Sequence, residues 1–281
     1  MKEITIELTH RCRAECIMCA RKKAKRDYEY MPFEKYKCYL EEIVQNGYTN
    51  IVFSGMGEPL LAPDFIRIVK YTKSNYPDLY LRMATTGAEM NQEMQLVISQ
   101  YIDEVKISHY GFTENTYKLV HGVNMPFQRI RENIESLINI NKRNCKIVLN
   151  YIELECNRHE TQQWIRYWEN FENITIEVWK PHNWGGNIDS NKYNSECCIC
   201  YRVQNECITL WCDGTISACC FDVNKKLVLG NLNIQKLKKC LTDLNYIELQ
   251  EKNSRGEIYK NAACISCDQI TNRDEACILR R

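Results

Sequence analysis

Short apolar runs with strand character alternate along the chain with longer stretches whose apolar residues recur every three or four positions. The runs are EITIEL from Glu3, NIVFSG from Asn50, LYLRMAT from Leu79, EVKISHY from Glu104, KIVLNYIEL from Lys146 and NITIEVWK from Asn173. Between them FEKYKCYLEEIVQNG and PFQRIRENIESLINI have helical periodicity, and Gly47 closes the first as a C-cap. Such a succession of β/α units predicts a parallel α/β sheet, curled by right-handed crossovers into a partial (β/α)6 TIM-like barrel. In sheets of this kind ligands collect at the carboxyl ends of the strands. From Cys197 the pattern changes: ITLW and TISA flank Asp213-Gly214, a two-residue hairpin signal, and LVLGNL, the helical stretch IQKLKKCLTDL and CISC follow. The polar segment NIDSNKYNSE marks the boundary, giving expected domains 1–186 and 187–281, the second a small β-hairpin plus helix.

Composition narrows the class. A chain of 281 residues, 44% hydrophobic and 26% charged, is long enough for one large core and an appended module. Lys and Arg (37) nearly balance Asp and Glu (36), so no global field favours nucleic acid or an anionic membrane. The start MKEITIELTH is too polar for a signal peptide and no apolar stretch approaches a membrane span, so the expected location is cytoplasmic, with neither membrane nor nucleic-acid partners. Seventeen cysteines in such a chain point to metal ligation in a reducing compartment, and most lie between Cys197 and Cys277. Cys38, Cys145 and Cys156 stand apart and read as small buried apolar residues.

The densest chemistry follows the first strand. In CRAECIMC, Cys12, Cys16 and Cys19 are separated by three and then two residues. Three thiolates on one short loop can hold three irons of a cubane and leave the fourth open to an outside molecule, whereas zinc sites pair two knuckles and ferredoxins draw a fourth cysteine from the chain. This loop resembles the CxxxCxxC signature of radical S-adenosylmethionine (SAM) enzymes. The resemblance implies a 4Fe-4S cluster whose unique iron is chelated by the cofactor's amino and carboxylate groups, and one-electron cleavage to a 5'-deoxyadenosyl radical. Met18 stands where the family prefers an aromatic residue. After the second strand, SGMGEP resembles the family's GGEP motif, with Met56 at the second glycine; Gly55 and Gly57 let the backbone approach a ligand, and Glu58 fixes the turn or accepts a proton donor. The resemblance implies that this edge (Gly55, Met56, Gly57, Glu58) binds the methionyl ammonium group. It also implies that Thr85, Thr86, Ser108 and Asn150, at later strand ends, help hold the carboxylate and ribose. WKPHNWGGN after the sixth strand places Trp179, His182 and Trp184 at the same rim, His182 among the expected cofactor contacts.

In the C-terminal part, the order Cys200, Gly214, Cys219 and the pair Cys264/Cys267 resembles the SPASM/Twitch extension of these enzymes. The longer pattern is interrupted by Arg273, which implies a Twitch domain with one auxiliary 4Fe-4S cluster on Cys200, Cys219, Cys264 and Cys267. Cys198, Cys207 and Cys277 are alternative ligands, and a zinc ribbon is the structural alternative. The expected activity is a two-electron radical SAM oxidoreductase: it abstracts hydrogen from a substrate C–H and oxidises a small polar molecule such as a sugar or aminocyclitol. A second expectation is an epimerase or peptide-modifying enzyme in which a cysteine returns a hydrogen atom; Cys212, Cys220 and Cys240 are candidates by location. A third is a non-catalytic iron-sulfur electron carrier or scaffold. The expected partners are a small-molecule or peptidyl substrate and an external one-electron donor of flavodoxin or ferredoxin type. RKKAKRD reads either as a solvated loop bordering the cluster or as a basic mouth for an anionic substrate, a carrier-bound phosphate or such a donor, with Tyr28 and Tyr30 either lining that mouth or packing on the surface.

Overall fold

The computed structural model describes residues 2–24, 29–142, 145–188, 199–270 and 276–281. In chain order the elements are β1 (Lys2–Ile6), α1 (Phe33–Gln45), β2 (Tyr48–Phe53), α2 (Phe65–Asn75), β3 (Tyr80–Thr85), α3 (Gln92–Tyr101), β4 (Glu104–Ser108), α4 (Glu114–His121), α5 (Phe127–Ile140), β5 (Lys146–Ile152), α6 (Thr161–Trp168) and β6 (Ile174–Trp179). Then come α7 (Tyr201–Gln204), β7 (Ile208–Leu210), β8 (Thr215–Ser217), β9 (Val228–Asn231), α8 (Leu237–Leu241), α9 (Leu244–Ser254) and β10 (Cys277–Arg280). The alternation read from the pattern is thus present strand for strand, and the architecture is the α/β partial barrel of TIM type with a small C-terminal hairpin-and-helix region. No described helix is long and apolar enough to cross a membrane.

The helices follow from their stripes. Phe33, Tyr36, Leu40 and Ile43 of α1, and Phe127, Ile130, Ile134 and Leu137 of α5, recur at three and four and are buried. Cys38 lies off that stripe and is exposed, which corrects the expectation of a buried thiol; Cys145 is buried as expected and Cys156 half-buried.

The chain divides into two compact units. The first contains Met1–His10, Ala20–Gly57 and His182–Arg273. In it β1 pairs in parallel with both β2 and β7, and β7, β8 and β9 continue antiparallel. The hairpin departs from the two-residue reading. The Trp211 N–H donates to the Thr215 carbonyl and the Gly214 N–H to the Trp211 carbonyl, so Cys212, Asp213 and Gly214 form a three-residue loop. Gly214 closes it at φ +86°, the left-handed position that such a loop requires. The helix expected from Ile234 begins only at Leu237.

The second unit contains Arg11–Cys19, Glu58–Pro181 and Asp274–Arg281. Its strands β3, β4, β5 and β6 are parallel, and β10 adds antiparallel to β6. Residues 147–151 of β5 are all buried, as both faces of an interior parallel strand require. The register sets Ser108 beside Asn150, and Asn150 beside Glu177, in one row across three strands.

Candidate functional site

The cysteine loop of the second unit is held by backbone groups at both ends. β1 ends at Ile6, and the N–H groups of the loop beyond it need acceptors. The Glu15 N–H donates to the His121 carbonyl (2.8 Å) and the Ile17 N–H to the Val120 carbonyl (2.9 Å), so the carbonyls that α4 leaves open at its C-terminus anchor the loop. Gly122 follows at φ +99°, and a Cβ there would lie 3.1 Å from Cβ of Glu15. At the other end the Glu58 N–H donates to the Arg11 carbonyl (2.7 Å), and a Cys19 N–H to Cys16 carbonyl turn (3.1 Å) draws the last two cysteines together. Cys12, Cys16 and Cys19 are all partly exposed, as ligands to a group entering from outside must be.

Glu58 is buried, and the residues around it are those singled out at the third strand end. Its Oε1 accepts the Thr85 hydroxyl (2.6 Å) and its Oε2 accepts the N–H (2.8 Å) and hydroxyl (2.9 Å) of Thr86. Burial raises its pKa above the ordinary carboxylate value, and these donors oppose the rise. Thr85 and Thr86 therefore lock the Gly-Glu-Pro turn through their hydroxyls. Ser108 and Asn150 are bridged by a residue the sequence reading did not single out: the Tyr110 hydroxyl donates to Ser108 Oγ (2.9 Å) and accepts from Asn150 Nδ2 (3.0 Å). Tyr110 also stacks on His121 at 4.8 Å between centroids, and His121 Nδ1 lies 3.2 Å from Cys16 Sγ. Burial lowers the His121 pKa to about 3, so the ring is neutral.

The other half of the glycine motif lies in the first unit. A Cβ on Gly55 would sit 2.8 Å from Glu7, whose buried Oε2 accepts the Met56 N–H at 2.8 Å, so glycine is required by close approach. The Glu7 Oε1 accepts from Cys212 Sγ (3.4 Å). Burial, then Glu7, keeps the Cys212 thiol protonated at neutral pH.

Also in the first unit, Cys200, Cys219, Cys264 and Cys267 line a single cavity of about 570 Å³, counted with its open mouth, together with Phe221, Val203 and Leu249. The Phe221 N–H points at Cys219 Sγ (3.4 Å) and the Gln269 N–H at Cys267 Sγ (3.4 Å). Burial pushes Cys264 and Cys267 up to about 12, so binding a metal group there releases protons. Cys219 hydrogen-bonds to Cys220, which draws the Cys220 thiol down, and the half-buried Arg202 adds to that. Among the described residues no three His, Cys, Asp or Glu groups converge tightly enough for one metal ion. A cubane instead gives each thiolate its own iron, and four sulfurs around a hollow suit that donor set. Of the alternatives, Cys207 does not line the cavity, Cys277 lies on β10 of the second unit with Sγ donating to the Leu279 carbonyl, and Cys198 is outside the described residues.

Residues 6–164 match the model of the Radical SAM superfamily. The chain belongs to this superfamily. It is accordingly a radical SAM enzyme, with S-adenosylmethionine and a 4Fe-4S cluster as cofactors. A probable GTP 3',8-cyclase of Saccharolobus solfataricus is 27% identical over 183 residues, 65% of this chain and 58% of that protein. The chain thus spans just over half the length of this curated relative. The fold is shared with BtrN in complex with AdoMet and 2-DOIA (TM-score 0.70, 18% identity, 95% of this chain and 92% of that one). It is shared also with anSMEcpe with bound AdoMet and Kp18Cys peptide (TM-score 0.67, 16% identity, 98% and 92%).

The remaining candidates in this radical SAM chain fall in different surroundings. His182 packs between Trp184 and Phe221, both at 4.6 Å between centroids, and its Nδ1 accepts the Trp184 N–H (3.3 Å). Burial and then Arg202 hold it neutral, at about 3. Asn183 latches this turn to the second CxxC loop: its Nδ2 donates to the Ser266 carbonyl (2.6 Å), and its N–H to Asp268 Oδ2 (2.6 Å). Trp179 belongs to the second unit, where its indole N–H donates to Glu177 (2.9 Å). Cys240 is fully buried under β9, accepting from Gln235 Nε2 (3.1 Å). Of the expected basic mouth, residues 25–28, including Tyr28, are outside the described residues; Tyr30 is exposed.

Proposed function

We propose that the protein is a radical SAM dehydrogenase of small polar substrates such as a sugar or aminocyclitol, built as a barrel domain (1–186) and a Twitch-type domain (187–281). Cys12, Cys16 and Cys19 hold the SAM-binding cluster. The backbone edge at Gly55, Met56, Gly57 and Glu58 takes the methionyl group, with Thr85, Thr86, Ser108, Asn150 and His182 as further contacts. Cys200, Cys219, Cys264 and Cys267 hold an auxiliary 4Fe-4S cluster. When bound, the cofactors supply a 5'-deoxyadenosyl radical that takes one hydrogen atom from a hydroxyl- or amine-bearing carbon and an acceptor for the electron left behind, so that substrate loses two electrons and two protons to become a ketone or imine. The chain's own part is to bind and orient these groups and to exclude water. An external one-electron donor of flavodoxin or ferredoxin type supplies the reducing electron.

The observation that carries the reading is the single cavity lined by all four cysteines named from their spacing. A dedicated second cluster gives an oxidation its electron acceptor. The same fold is found with the small ligand named with BtrN and with the peptide named with anSMEcpe, at comparable mutual coverage, so it accommodates either substrate class and the product analysis makes the choice. The test is anaerobic reconstitution, iron counting and product analysis with candidate sugars and aminocyclitols. About eight irons per chain, as two four-iron clusters imply, and one 5'-deoxyadenosine per carbonyl formed support the proposal. Four irons, or nucleoside without oxidised product, refute it.

A second reading rests on Cys212. Its thiol stays protonated and donates to Glu7, which is the form a hydrogen-atom donor needs, so an epimerase is the alternative reaction. Deuterium uptake from solvent at an inverted carbon, lost in Cys212→Ala, distinguishes it. Absence of any SAM cleavage favours the electron-carrier reading.

A further inference from the structure

Helix α4 presents Tyr117 and His121 one turn apart on the same face. Their rings stack at 4.3 Å between centroids, and Tyr110 stacks on the other side of the histidine at 4.8 Å. Both α4 side chains are wholly buried. The Tyr110 main-chain N–H can only donate, and it points at His121 Nε2 (3.2 Å), so Nε2 is an acceptor. An imidazole with Nε2 unprotonated carries its proton on Nδ1. Nδ1 faces Cys16 Sγ at 3.2 Å, so the hydrogen bond runs from the histidine to the sulfur.

We infer that His121 is a positioning residue that raises the reduction potential of the cluster held by Cys12, Cys16 and Cys19, by donating a tautomer-locked Nδ1–H to Cys16, and that the Tyr117 hydroxyl is a second donor toward the same bound group. The inference rests on the reading of these three cysteines as the cluster's ligands. Tyr117 supplies an independent observation. Its hydroxyl is buried and has no hydrogen-bond partner among the described residues, and its ring stacks on His121, the residue that faces Cys16. A buried hydroxyl left unpaired is costly, and a ligand settling on the cysteine loop relieves that cost. Hydrogen bonds to cluster sulfur withdraw charge from it and favour the reduced state, which is the state that SAM cleavage requires.

The experiment compares wild type with His121→Phe, His121→Asn and Tyr117→Phe, each reconstituted anaerobically. Iron is counted, and a redox titration is followed by EPR on the signal that changes shape when SAM is added, which singles out the first cluster. His121→Phe keeps the ring stack and the iron but loses the donor. At the wild-type midpoint its reduced-to-oxidised ratio is expected to fall about tenfold, equivalent to about 59 mV for a one-electron couple. His121→Asn restores an N–H where Nδ1 stood and recovers most of the shift. Tyr117→Phe lowers the potential less, while the melting temperature of the cluster-free protein is unchanged or raised. An unshifted potential at full iron load overturns the assignment, as do equal shifts in the Phe and Asn variants, because loss of ring packing then accounts for both. Should His121→Phe not fold, His121→Ala takes its place as the variant without a donor: an unshifted Tyr117→Phe together with equal potentials in His121→Asn and His121→Ala overturns the assignment. A wild-type protein with no SAM-responsive signal refutes the cluster reading itself and the role with it, whereas a normal signal with unshifted potential refutes the role alone.

Discussion

Glu58 is where the third strand end and the cysteine loop meet within the second unit, and its replacement has a cost that the hydrogen bonds allow to be worked out. In Glu58→Ala three donors that lie within 2.9 Å of the carboxylate lose their acceptor, the buried Thr85 hydroxyl and the part-buried N–H and hydroxyl of Thr86. Each orphaned donor costs about 1–3 kcal/mol, and hydroxyl rotation or water entering the vacated space recovers part, so the expected loss is about 4 kcal/mol. Glu58→Gln behaves differently. The amide oxygen can serve both Thr86 donors, and the amide N–H₂ then meets Thr85 Oγ1, which already accepts the Gly87 N–H (3.0 Å) and retains a second lone pair. The Thr85 O–H and the long Leu60 N–H contact (3.4 Å) are left without an acceptor, so the expected loss is about 2 kcal/mol. The assay is urea unfolding of the anaerobic, metal-free protein followed by far-ultraviolet circular dichroism, with 5'-deoxyadenosine formation measured on the reconstituted variants. Because the Glu58 main chain also grips the Arg11 carbonyl next to Cys12, the alanine variant should lose nucleoside formation more than the glutamine variant does. A Glu58→Ala protein within 1 kcal/mol of wild type, or a glutamine variant as unstable as the alanine one, refutes the reasoning.

Cys12→Ala, Cys16→Ala and Cys19→Ala should each abolish SAM cleavage, whereas Cys264→Ala and Cys267→Ala should leave cleavage at least partly intact and block complete turnover; nucleoside and product yields under dithionite check both. Gly122→Ala forces a side chain into the φ +99°, ψ 154° conformation and against Glu15, at about 1–3 kcal/mol, and should lower iron retention at the first cluster; an unchanged denaturation midpoint and iron count contradict this. Glu160 is pushed up by burial, but the Thr113 and Thr116 hydroxyls and the Phe112 and Thr113 N–H groups outweigh that and hold it below the ordinary carboxylate value. Its contribution is therefore present above the unfolded value of about 4.3 and is lost as the pH falls through the lower folded value, so Glu160→Gln should flatten the acid limb of stability below that unfolded value. A limb as steep as wild type in that variant rules the contribution out.

The sequence by itself determined what local chemistry dictates. Apolar periodicity located the six parallel strands, the stripe of α1 and α5 was legible residue by residue, and Asp213-Gly214 marked the turn although its three-residue form depended on the register of β7 against β8. CRAECIMC and SGMGEP could be assigned to strand ends because each follows an apolar run directly. Helix α4 went unread: ENTYKLVH is short and largely polar, although Thr113 before it, which caps it by accepting the Thr116 N–H, and Gly122 after it were available signals. Strand β10 was equally illegible, since four residues become a strand only against the edge of β6. The tertiary structure decided the rest. His121 meets Cys16 from 105 positions away, Tyr110 bridges Ser108 to Asn150 because β4 and β5 pair in that register, and four cysteines spread over residues 200–267 line one cavity. Periodicity and turn preference report on a residue's immediate neighbours, whereas these contacts depend on which strands pair, in what register and with which crossover packed above them, and that is settled only when the whole core is buried at once.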